Sequence, residues 1–80
     1  MRLDKYLKVT RLIKRRTVAN EACGHDRITV NGKPAKAAYS VKAGDVIEIH
    51  FGARCTKVEV VSVAEHATKE GASALYKELS

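Results

Sequence analysis

Seven of the first sixteen residues are cationic: Arg2, Lys5, Lys8, Arg11, Lys14, Arg15 and Arg16, opposed only by Asp4. Residues 17–80 carry eight cations and eight anions, so the whole formal excess of +6 lies in the first fifth of the chain. Concentrated like charge repels itself and costs stability, whereas solubility is served equally well by interspersed signs, so the clustering points to an anionic ligand rather than a merely solvated helix face. Phosphate fits these residue types. The planar guanidinium fork donates two parallel charge-assisted hydrogen bonds, and lysine supplies a mobile point charge. Arg2, Arg11 and Arg16 are therefore the strongest contact candidates within the run from Arg2 to Arg16, and Lys33 and Lys36 offer a second basic edge.

Other chemistry has less to build on. His25, His50 and His66 lie in separate segments without closely spaced Cys, Asp or Glu partners, so each reads as a surface imidazole rather than a metal ligand or triad member. Ser40, Ser62 and Ser73 lack the glycines of a nucleophile elbow, and Gly24, Gly32, Gly44 and Gly52 stand at turn spacings rather than in a phosphate-cradling loop. Cys23 and Cys55 form no C-x-x-C pair and read as small apolar thiols. Tyr39, beside Val41, reads as packing rather than a base-stacking platform. No catalytic residue, metal or cofactor is expected. Eighty residues also leave room for one small core rather than an enclosed active site.

The elements that must position the cations are short. Leu3, Tyr6 and Leu7 fall at i, i+3 and i+4, which predicts a first helix within Met1–Ile13 with its cations largely on other faces. A break is expected near Lys14-Arg15-Arg16, after which Thr17 can serve as the N-cap or a first-turn residue of a second helix whose apolar stripe is Val18, Ala19, Ala22 and Cys23 and whose end is punctuated by Gly24. The period then changes to alternation: Ile28 and Val30 predict a strand, and Asn31-Gly32 supplies the positive φ values of a tight hairpin. Pro34 confines the return segment, Lys33 to Ala38, to an irregular edge. Val46–Phe51 predicts a strand with Ile47, Ile49 and Phe51 inward, paired antiparallel with Thr56–Val63. Thr68 should cap a final helix carrying Ala72, Leu75, Tyr76 and Leu79. The fold class is thus α+β, two or three short helices packed on a small, mainly antiparallel twisted sheet.

The segments Arg2-Leu3-Asp4-Lys5-Tyr6-Leu7, Arg11, Arg16-Thr17-Val18-Ala19, Arg27-Ile28-Thr29-Val30-Asn31-Gly32-Lys33 and Val41-Lys42-Ala43-Gly44-Asp45 together resemble the alpha-L RNA-binding motif of S-four-like ribosomal domains. Within that superfamily the chain is most similar to the stand-alone RqcP-like family of bacterial ribosome-associated quality control. The resemblance implies a single domain over residues 1–80, with the motif in 2–49 and a strand and C-terminal helix in 50–80 completing it. It further implies a non-enzymatic factor that binds large ribosomal subunits obstructed by peptidyl-tRNA, contacts ribosomal RNA and that tRNA, and supports RqcH in untemplated alanine tailing. By position in the motif, Arg2 and Arg16 would be the principal RNA contacts, with Lys5, Lys8, Arg11, Lys14 and Arg15 in support. Asp4 would orient a neighbouring arginine, and Thr17, Asn31 and Gly32 would be structural. Arg15 stands where many such domains carry Ser or Thr, which leaves capping of helix two to Thr17 or to the backbone.

A surface that grips phosphates and A-form shape can hold RNA without reading its sequence. With about four to six phosphates neutralised, log affinity should fall against log salt with a slope of about −3 to −4. Two rivals remain. One is the heat-shock ribosome-recycling relative, which typically carries a longer basic C-terminal extension. The other is a helix-turn-helix DNA reader, disfavoured because Val18–Cys23 offers only Asn20 and Glu21 to bases. The apolar runs fall far short of the ~20 residues that span a bilayer, and the charged start at Arg2, Asp4 and Lys5 is unlike a signal peptide. A cytoplasmic monomer with no membrane partner is expected.

Overall fold

The computed structural model describes residues 1–79. Along the chain run α1 (Leu3–Val9), α2 (Arg16–Gly24), β1 (Ile28–Val30), β2 (Lys33–Pro34), β3 (Val46–Phe51), β4 (Arg54–Val60), α3 (Lys69–Ser73) and β5 (Tyr76–Glu78). The strands form one sheet in the order β2-β1-β3-β4-β5, and every neighbouring pair is antiparallel. The α+β class expected from the apolar periods is the one observed.

The periodicity of α1 does its work: Leu3, Tyr6 and Leu7 are all fully buried, each contributing about 1.5–3 kcal/mol by leaving water. They pack with Ala19, Ala22 and Cys23 of α2 against Ile28, Val30, Ile47, Ile49, Val58 and Val60 of the sheet. The helix is shorter than its apolar pattern, ending at Val9. Thr10 caps it, its hydroxyl donating back to the Tyr6 carbonyl at 2.8 Å, and Arg11 then takes a left-handed φ of 62°. That reversal lets Ile13 fold under the helix, its N–H donating to the Leu7 carbonyl.

The backbone sets both ends of helix α2. Arg15, in extended conformation, is its N-cap without a side-chain cap bond, so Thr17 stands in the first turn, two positions past the cap. At the other end Gly24 is the last helical residue. The left-handed turn falls to Asp26 (φ 56°), where the Arg27 N–H reaches the Ala22 carbonyl and the Asp26 N–H reaches Cys23. This is the paired bonding of a Schellman motif. Val18 is 39% exposed rather than part of the buried stripe, because α1 covers only the Ala19, Ala22 and Cys23 side of the helix.

Asn31 (φ 54°) and Gly32 (φ 84°) turn β1 into β2, with Val30 opposite Lys33. Pro34 sits on the edge strand, as its missing donor requires. In β3, Ile47 and Ile49 face the core, whereas Phe51 is 38% exposed, since it ends the strand beside the turn at Gly52. Cys55, too, is exposed, while Cys23 is buried.

The largest departure is at the C-terminus. Thr68 does cap α3, its hydroxyl accepting from the Gly71 N–H at 3.0 Å. The helix nevertheless stops at Ser73, and Tyr76–Glu78 pairs with β4 as a fifth strand rather than continuing it. Gly71 and Ser73 are weak helix formers, and the free edge of β4 offers the segment hydrogen bonds that a frayed helix would leave open. Leu75 is thereby locked into the core, its carbonyl accepting from the buried Tyr6 hydroxyl at 2.7 Å.

Candidate nucleic-acid interface

The cations are organised around one buried anion. Asp4 lies in the first turn of α1 with its side chain only 3% exposed. Its Oδ1 accepts from Arg2 Nε at 3.2 Å and from the Lys5 backbone N–H at 2.8 Å, and its Oδ2 accepts from Arg2 Nη2 at 3.4 Å and Arg16 Nε at 3.3 Å. Burial raises the carboxyl pKa, but the Arg2, Arg16 and Asn20 side chains and the Lys5 N–H outweigh it, and the group sits below its ordinary value. Asp4 thus stitches the start of α1 to the start of α2 across twelve residues of chain.

This arrangement does more than neutralise charge. A guanidinium carries five N–H donors. Arg2 commits two atoms and Arg16 one to Asp4, and both side chains remain about half exposed, at 50% and 48%. Their remaining donors face solvent from rotamers that are already fixed, which lowers the entropy lost when an external anion is gripped.

Next to this triad, Lys5, Lys8, Arg11 and Arg16 line an open groove of about 310 Å³ together with Val9, Glu65, His66 and Ala67. Arg11 reaches the groove because of its left-handed backbone, which swings the residue out at the end of α1. Glu65 and His66 carried no sequence signal, because they join the groove from sixty residues away, on the irregular segment between β4 and α3. Glu65 forms an ion pair with Lys5, and that pairing holds its carboxyl below the usual range. An anion of the chain itself therefore occupies part of the basic groove.

The other predicted cations lie elsewhere. Lys14 and Arg15 are exposed on the α1–α2 connection, outside the groove lining. Lys33 and Lys36 flank a separate depression with Val30, Asn31, Pro34, Ala35 and Tyr39. Thr17 lines a shallow recess with Asp4, Arg16, Asn20 and Glu21. The hairpin is tied to the α1 side through residues 37–41: the Leu3 N–H donates to Tyr39, the Asp4 N–H to Ala37, and the Val41 N–H to Met1.

A second buried carboxylate fixes the hairpin. Asp45, 3% exposed, accepts from Asn31 Nδ2 at 3.1 Å, the Tyr39 hydroxyl at 3.0 Å and the Lys42 N–H at 3.1 Å, while Asn31 Oδ1 accepts from the Val46 N–H at 3.0 Å. Asn31 thus shapes the turn and clamps it to β3. Tyr39 is committed to this network rather than offered to a base, and among the described residues the basic groove is lined by no Phe, Tyr or Trp, its one aromatic ring being the imidazole of His66. The geometry suits phosphate and backbone shape. For nucleophilic chemistry it offers little: burial, together with the charge of Asp4, pushes the Cys23 thiol up to about 11. His50, in contrast to its expected isolation, stands 3.4 Å from Glu48 and opposite Cys55 on the β3–β4 ladder.

The S4 domain family model matches residues 1–47. A protein of Halalkalibacterium halodurans named RQC P-site tRNA stabilizing factor is 57% identical over 77 residues, covering 96% of this chain and 88% of that protein. A protein of the same name from Streptococcus pneumoniae is 48% identical over 80 residues, covering 100% of this chain and 91% of the other. Among solved structures, the trimeric heat shock protein 15 of Vibrio cholerae superposes with a TM-score of 0.91 at 28% identity, over 99% of this chain and 81% of that one.

Proposed function

Because this chain belongs to the S4 domain family, we propose that it is an RNA-binding factor of ribosome-associated quality control that stabilises P-site tRNA on a large ribosomal subunit obstructed by peptidyl-tRNA. It acts by binding, without catalysis, contacting ribosomal RNA as well as the tRNA, and in the cytoplasm of a bacterium it supports RqcH in adding the untemplated alanine tail. The relatives named as P-site tRNA stabilizing factors support this reading at 57% and 48% identity over nearly the whole chain.

The observation that carries it is the pair of arginines preset on a buried carboxylate beside a groove of further cations. Arg2 and Arg16 grip phosphates from fixed rotamers, and Lys5, Lys8 and Arg11 extend the contact along the groove. Lys14, Arg15 and the Lys33–Lys36 edge give the RNA flanking charge. A protein that reads backbone rather than bases can engage a ribosomal helix and any tRNA species alike, as a factor serving every stalled message must.

Co-sedimentation with large subunits carrying peptidyl-tRNA tests the reading. The wild-type chain should pellet with them at low salt and be released as salt rises, and Arg16→Ala should lose the association while keeping its circular dichroism spectrum. Retention of Arg16→Ala on the particles would remove that residue from the interface. Failure of the wild type to bind would remove the proposal. The likeness to heat shock protein 15 supports a second reading, ribosome recycling, at the lower identity of 28%. Preference for subunits carrying tRNA over empty ones separates the two.

A further inference from the structure

On the sheet face turned away from the helices, the β3–β4 ladder brings three different metal-donor side chains together. Ile47 and Ile49 point into the core, so Glu48 and His50, which alternate with them, lie on the opposite face. Cys55 is the direct cross-strand partner of His50 and shares that face. We propose that Glu48, His50 and Cys55 form a binding site for one zinc-class divalent cation, completed by water.

The distances favour a single ion. The Glu48 carboxylate, a ring nitrogen of His50 and the Cys55 sulfur all lie within 4.8 Å of one another, and Glu48 Oε2 stands 3.4 Å from His50 Nε2. Zinc holds such ligands at about 2.0–2.3 Å, which places neighbouring tetrahedral donors about 3.3–3.8 Å apart, so small side-chain rotations close the set. The backbone need not move: the ladder runs from Val46 opposite Glu59 to Phe51 opposite Arg54, fixing all three Cα positions. One thiolate, one imidazole and one carboxylate select zinc over magnesium or calcium, which take oxygen donors.

The surroundings are compatible with a cation. Lys57 Nζ lies 3.9 Å from Glu48 Oε1, leaving Oε2, the oxygen nearer His50, for the metal. Thr29 of β1, the cross-strand partner of Glu48, has a buried hydroxyl without a hydrogen-bond partner among the described residues and can support the ligating carboxylate. The site uses none of the seven cations of residues 1–16. The bound ion would staple the β3–β4 hairpin independently of RNA.

Titration of the reduced full-length chain with Co²⁺ tests the site. One equivalent should bind with thiolate-to-cobalt charge-transfer absorption and tetrahedral visible bands, Zn²⁺ should displace it, and Zn²⁺ should raise the melting temperature. Cys55→Ser should abolish the charge-transfer band while Cys23→Ala retains it, and His50→Ala or Glu48→Gln should weaken binding by about tenfold or more. Absence of the band, its survival in Cys55→Ser, indifference to His50→Ala or Glu48→Gln, or half an equivalent bound with dimer formation would each overturn the proposal. Cys55 is exposed and Glu48 and His50 are partly so, and the amide spectrum of each variant checks that the fold is kept.

Discussion

Replacing Arg11 with glycine should move stability and RNA affinity in opposite directions. Arg11 holds φ at 62° at the end of α1, a conformation that costs an L-residue about 1–2 kcal/mol and glycine almost nothing. Glycine also loosens the unfolded chain, at a cost of about 0.4–1 kcal/mol. The net gain is therefore about 0.5–1 kcal/mol, a rise in melting temperature of about 2–8 °C for a domain of this size. The same substitution deletes one cation from the groove formed with Lys5, Lys8 and Arg16. At about 0.7 log units per phosphate contact and decade of salt, RNA affinity should fall about fivefold in 0.1 M salt and the salt slope should flatten by about 0.7. Arg11→Ala separates the two effects, because it removes the guanidinium but keeps the strained backbone: it should lose the same affinity without the stability gain. Thermal melts followed by circular dichroism, with fluorescence-anisotropy titrations against a ribosomal RNA fragment at several salt concentrations, read both quantities. A lower melting temperature for Arg11→Gly than for Arg11→Ala would refute the strain argument, and an unchanged salt slope would refute the contact.

Acid should reveal the Asp4 triad. Its carboxyl lies below the ordinary value of 3.8, so its contribution is fully present above that pH and is lost as pH falls through the lower folded value. The stability difference between wild type and Asp4→Asn, measured by urea melts, should therefore shrink below pH 3.8, and a constant difference would count against the pairing. Tyr6→Phe should cost about 0.5–1.5 kcal/mol rather than more, because the Leu75 carbonyl keeps the N–H bonds from Val61 and Ser62; a shifted urea midpoint with unchanged slope checks it. Glu65→Gln should free Lys5 for RNA and steepen the salt dependence of binding by about 0.7, an effect that anisotropy titrations detect and that would be missing if Lys5 made no contact.

Much of the architecture could be read from local pattern. The i, i+3, i+4 spacing of Leu3, Tyr6 and Leu7, the Asn31-Gly32 turn and the alternation in β3 each report a preference decided within a few residues. The S-four-like resemblance, read over residues 2–49, falls in the S4 family, whose model matches residues 1–47. Where sequence reading erred, the deciding partner was distant. Tyr76–Glu78 looked helical by spacing but is a strand, because the open edge of β4 was there to receive it. Of the two places open to Thr17, N-cap or first turn, it takes the first turn, because the chain enters α2 at Arg15.

The charge asymmetry, the identity of the cations and the short elements are properties of the chain read in order, since counting and periodicity need no third dimension. Which cations share a groove is another matter. Arg16 meets Asp4, Lys5 meets Glu65, and His50 meets Glu48 and Cys55 only after helices pack and strands register. Direct electrostatic and ligand contacts act over a few ångströms, whereas the residues that make them here are separated by up to sixty positions, and only the buried core that fixes backbone to backbone brings them within reach.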